Sequence, residues 1–157
     1  MRVGSRRSAV EGVRAMMAVL VIGVVATWAM VGLIWMVQIV HYPMLAEMSA
    51  LSPVTAAVDH QRRISWVVGP LMATEGVTAL MLLVDRPATM SVAEAWIAAL
   101  LLGVALASTV LVQVPLHARL AAAHADDIAT RLVVTNWVRT VAWTARGLLM
   151  VAVLITS

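Results

Sequence analysis

Four long apolar runs, at residues 16–40, 64–84, 95–116 and 132–156, constrain this chain more than any other feature. Each is 21 to 25 residues long, against the roughly 20 residues that cross about 30 Å of hydrocarbon at 1.5 Å per residue. A backbone in lipid must satisfy its own hydrogen bonds, so it spans as helices or as a closed barrel. The runs lack the period-2 alternation of barrel strands. The fold class is therefore all-α, an integral membrane four-helix bundle, with residues 1–157 forming a single transmembrane domain.

Composition agrees: the chain is 62% hydrophobic and 12% charged, against about 45–50% and about 25% in soluble domains. The first run is too long for a signal-peptide core. It ends in WMVQIVHYP and not in a small-residue cleavage site, so it reads as a retained helix. Without cysteine, disulfides, thiolate chemistry and iron–sulfur ligation are excluded. The basic balance comes from 11 arginines with no soluble basic patch. Lipid is then the expected surface partner and nucleic acid is not. Arg2, Arg6, Arg7, Arg14 and Arg86 flank one side, and Arg62, Arg63, Arg119 and Arg131 the other. The N-terminal cluster places both termini in the cytoplasm of a bacterial-type inner membrane.

The apolar pattern breaks twice in similar ways. The first run ends in Trp35-Met-Val-Gln38-Ile-Val-His41-Tyr-Pro43, and the third in Val-Gln113-Val-Pro115-Leu-His117. The following helices open with His60-Gln-Arg-Arg63 and Asn136-Trp-Val-Arg139. These echoes describe a parallel 2+2 hairpin repeat, with Gln38 matching Gln113 and Arg63 matching Arg139. In that topology Gln38, His41, His60, Arg63, Gln113, His117, Asn136 and Arg139 all lie near the membrane face opposite the termini. Asn136, Arg139, Thr140, Trp143 and Arg146 form a polar stripe along the last helix, spaced for one face.

Charges within a bilayer are costly and face the bundle interior or a cavity. Glu75 lies 12 residues past Arg63, about 18 Å along a helix, and Arg146 reaches a similar depth. The two are expected to form a buried ion pair near the midplane. Near the mouth, His41, His60 and His117 supply three imidazoles for zinc or copper if a metal binds, with Met44 and Met48 following His41 as soft ligands. Haem between His41 and His117 is a further alternative. The acid–base reading needs no cofactor. It takes His41 as the general base with His117 beside it and Arg139 as anion holder. Gln38, His60, Arg63, Gln113, Asn136 and Trp143 then line a pocket for a small hydrophobic ligand. Trp35, Trp66 and Trp137 supply further flat walls. Gly23, Ala26 and Thr27, and Gly103 with Ala107, suit close helix contacts within the chain or in a homo-oligomer. A transporter or assembly subunit is the third class. His124 reads as solvated beside Asp126 and Asp127.

The Asn136-Trp-Val-Arg139-Thr-Val-Ala-Trp143 segment, opening the last helix of a small four-helix chain, resembles the anthrone oxygenase-like family of membrane proteins. The resemblance covers the helix layout and this one stretch, so only Asn136 and Arg139 carry over by position. It implies a cofactor-free oxygenase acting on a phenolic polyketide, with the polar helix ends forming the pocket.

Overall fold

The computed structural model describes residues 2–44, 54–122 and 126–156. Its helices are α1 (Arg2–Met36), α2 (Val54–Val84), α3 (Val92–Ser108), α4 (Val114–Ala122) and α5 (Asp126–Ile155). A π-helical turn, Val37–His41, prolongs α1, and a second, Thr109–Gln113, joins α3 to α4 in one rod. Among the described residues four stretches are long and apolar enough to cross a membrane: Val10–Met44, Arg62–Val84, Val92–Arg119 and Thr130–Ile155. The chain is thus a multi-pass, all-α four-helix membrane bundle, and we number these stretches membrane helices 1 to 4.

The two π turns have a common local cause. Proline has no N–H, and its ring clashes with the carbonyl four residues back. Pro43 and Pro115 follow the turns at the same interval, and the carbonyls they crowd, Ile39 and Leu111, lie inside the widened segments. A π turn makes that room without ending the helix. The start of membrane helix 3 is also fixed locally. Ser91 accepts from the Glu94 amide while the Glu94 carboxylate accepts from the Ser91 amide, a reciprocal cap.

Each membrane helix packs against its neighbours in sequence, and helix 1 closes the ring on helix 4. Helices 1 and 3, and helices 2 and 4, oppose each other across the diagonals, and their described backbones do not come close. The apolar core falls into two layers. One, at the end near the 2–3 connection, contains Leu20, Val24, Leu82, Met90 and Met150. The other, toward the opposite end, contains Met30, Ile34, Tyr42, Leu132 and Trp143. Large apolar side chains such as Val25, Leu80, Leu100 and Val141 point outward on all four helices, as lipid-facing surfaces require.

The small-residue expectation divides. Gly23, Ala26 and Thr27 are buried, and a Cβ on Gly23 would sit 3.0 Å from Met150 Cε and 3.1 Å from Thr78 Oγ1. Gly103 and Ala107 instead face outward, and a Cβ on Gly103 would meet nothing within 4 Å. The reason is rotational: Ala98, Leu102 and Ala105 carry the inward face of helix 3, which turns Gly103 away. Replacing Gly23 by leucine is expected to destabilise the bundle by about 1–3 kcal/mol through overpacking. Gly103→Leu should change stability little. Unfolding midpoints of the two variants in the same detergent check this contrast.

Candidate functional site

Two polar layers cross the interior. The deeper one separates the two apolar layers. Glu75 on helix 2 and Arg146 on helix 4 face each other across a diagonal, with Arg146 Nε 3.5 Å from Glu75 Oε1 and both side chains buried. Helix 1 inserts the Thr27 hydroxyl between them. It accepts from Arg146 Nε at 3.1 Å and donates to Glu75 Oε1 at 2.8 Å. The second carboxylate oxygen accepts from Trp143 Nε1 at 3.0 Å. Helix 3 contributes the Ala98 carbonyl, which accepts from Arg146 Nη1 at 2.7 Å. Every helix of the bundle therefore supplies a partner to one ion pair.

The second layer lies where helices 1 and 3 end, on the other diagonal. The Tyr42 hydroxyl is 3.0 Å from Gln113 Oε1, to which it donates, and 3.0 Å from His117 Nε2. Gln113 is held by its amide nitrogen, which donates to Thr135 Oγ1 at 2.9 Å. Asn136 Nδ2 donates to Gln38 Oε1 at 2.7 Å, and Gln38 Nε2 donates to the Val133 carbonyl at 3.3 Å. A single hydroxyl proton serves two acceptors here. Tyr42 donates either to Gln113, with His117 donating back to the phenol, or to a neutral His117 nitrogen. The layer is thus a hydrogen-bonded unit in which a proton can sit on either ring.

Arg139 stands between the layers. Its guanidinium lies 5.5 Å from the centroid of the Trp143 ring, a cation–π contact, and Tyr42 is within its electrostatic reach. The side chain is buried, yet its Nε–H has no hydrogen-bond partner, nor has the side-chain amide oxygen Oδ1 of Asn136 one turn earlier. Among the described residues no carboxylate forms an ion pair with Arg139. The charge is met by an aromatic face and a phenol and by no carboxylate, a costly arrangement for a buried cation.

Several expected site residues therefore converge: Gln38, Gln113, His117, Asn136, Arg139 and Trp143. His41 is half-buried, its ring 6.0 Å from that of Tyr42, but the imidazole that meets the phenol is His117. Arg63 does not join the site. It is exposed, because helix 2 presents Ile64, Val68, Leu71 and Glu75 inward and Arg63 lies about 100° from that face. Its proposed equivalence with buried Arg139 fails for the same reason. The His60 side chain, Glu47, Met48 and His124 lie outside the described residues. The three-imidazole set includes His60 and so lies outside the described residues, among which no three metal-ligating side chains gather. Trp35 packs edge-on against Trp137 at 5.7 Å and donates to Thr144 at 3.1 Å on the outer 1–4 seam, while Trp66 is exposed. Only Trp143 forms an interior wall.

Sequence reading missed Tyr42, Thr27 and Thr135. Tyr42 was detectable: it is the one tyrosine of the chain. It also occupies the repeat position of His117 when Gln38 is set on Gln113. No protein-family model matches the chain, nor does any curated protein or solved structure.

Replacing Glu75 by glutamine is expected to lower stability by about 3–5 kcal/mol, because it strands the Arg146 charge in the core. Combining Glu75→Leu with Arg146→Met should cost less than the two single changes summed. A double-mutant cycle in reversible unfolding from micelles measures that coupling.

Proposed function

We propose that the chain is a membrane-embedded, cofactor-free oxygenase-like enzyme acting on a hydrophobic phenolic or aromatic molecule. The observation that carries this reading is a buried guanidinium with a free Nε–H and no carboxylate partner, next to a tyrosine–histidine pair. Asn136 offers an unused acceptor one helical turn from the unused donor of Arg139. A ligand bearing a hydroxyl and a carbonyl or phenolate oxygen side by side satisfies both. The surroundings are apolar, with Trp143 as the aromatic wall, as in most small-molecule sites.

In this reading His117 acts as base, with Tyr42 passing the proton along the hydrogen bond. It removes a proton from a ring CH2 acidified by the adjacent carbonyl. The charge moves onto the carbonyl oxygen, where Arg139 stabilises it without reorganisation. Molecular oxygen is the oxidant: CH2 and O2 become C=O and water. The resemblance of Asn136-Trp-Val-Arg139 to the anthrone oxygenase-like proteins supports the same chemistry. We further propose a bacterial inner-membrane location with cytoplasmic termini, so that this layer lies toward the opposite face.

Oxygen uptake by the purified protein in nanodiscs, supplied with a hydroxylated anthrone, tests the proposal. Consumption of one O2 per substrate is expected. Arg139→Gln should lower kcat/KM by about 10²–10³, the range for losing one oxyanion donor, while Tyr42→Phe lowers kcat. Uptake no faster than the uncatalysed reaction would overturn the assignment. A Soret band in the absorption spectrum would replace it with the haem reading on His41 and His117.

A further inference from the structure

The outer surface carries a second feature, separate from the polar layers and independent of the proposed reaction. Where helix 3 ends and helix 4 begins, a groove of about 430 Å³ opens on the protein exterior. Its apolar wall is made by Leu111, Val112, Pro115 and Leu116, and its polar edge by Arg119 and Arg131. Leu111 and Val112 lie in the π turn before Pro115, and Leu111 is 73% exposed. Both arginines are exposed, and neither forms an ion pair with a carboxylate among the described residues. Asp127, one turn before Arg131, forms none with it either.

We propose that this groove seats one phospholipid with a net-negative headgroup. The Arg119 guanidinium ends the helix 3 span and that of Arg131 opens the helix 4 span, so both lie at headgroup depth, where arginine recognises phosphate oxygens in paired hydrogen bonds. The apolar wall runs from there toward the membrane interior, the course an acyl chain takes. Charge and polarity thus complement a bilayer lipid along the whole length of the groove. Thr135 lines the groove and also accepts from Gln113. A seated lipid therefore borders the residue that holds Gln113 against Tyr42.

The test uses the full chain in mixed micelles containing phosphatidylglycerol and phosphatidylcholine in equal amounts, with retained lipid counted by native mass spectrometry. Near-surface arginines each strengthen association with anionic lipid by about fivefold. Wild-type protein is expected to retain phosphatidylglycerol over phosphatidylcholine, and Arg119→Gln with Arg131→Gln to lower that preference by roughly twenty-fivefold. Leu111→Trp, which fills the groove with the charges intact, should reduce retention of both lipids. Arg63→Gln, an exposed cation at the same membrane face, should leave the preference unchanged. Equal retention of the two lipids by the wild type would overturn the proposal. So would an undiminished preference in the double variant, or an equal loss in Arg63→Gln.

Discussion

A carboxylate and a guanidinium share the hydrocarbon interior only when each also satisfies its remaining hydrogen-bonding atoms, since mutual attraction does not by itself repay their desolvation. The Glu75–Arg146 pair meets most of that demand by recruiting all four helices, with Thr27 from helix 1, Trp143 from helix 4 itself and the Ala98 carbonyl from helix 3, and leaves Arg146 Nη2 as its one buried nitrogen without a partner. The rest of the interior follows. Holding Arg146 inward fixes the rotation of helix 4, and residues seven and ten positions earlier must share its face. Those residues are Arg139 and Asn136. The pair that stabilises the bundle therefore also sets the orientation of the candidate site.

The two polar layers use opposite diagonals. The deeper joins helices 2 and 4, and the outer joins helices 1 and 3 through Tyr42, Gln113 and His117. Longer polar side chains bridge the diagonals that the backbones leave open, while Asn136–Gln38 and Gln113–Thr135 tie neighbouring helices. Trp143 connects the layers, its ring under Arg139 and its indole N–H on Glu75. A substitution at Trp143 would thus disturb the ion pair and the anion-holding residue together.

The inner faces of helices 1 and 3 follow one register. Leu20, Thr27, Met30, Ile34, Gln38 and Tyr42 correspond to Ala95, Leu102, Ala105, Thr109, Gln113 and His117, each seventy-five residues on. The π turns follow a different spacing, seventy-two, because they are tied to Pro43 and Pro115. Gln38 and Gln113 consequently occupy different places in their turns. Helices 2 and 4 do not match at the spacing that sets Arg63 on Arg139. The internal similarity is a property of the odd-numbered helices.

Hydropathy and run length determined the number of membrane helices, because the bilayer imposes the same requirement on every spanning segment. The depth of Glu75 and Arg146 was legible too, since helical rise converts sequence distance directly into depth. So was the polar stripe of helix 4, which lies on a single helix. Rotation and cross-bundle pairing were not legible. Arg63 and Gly103 face outward, and the Tyr42 phenol meets His117 across the bundle. Only tertiary structure decided these, because a one-residue step turns a side chain by about 100° and only packing against neighbours fixes which direction is inward.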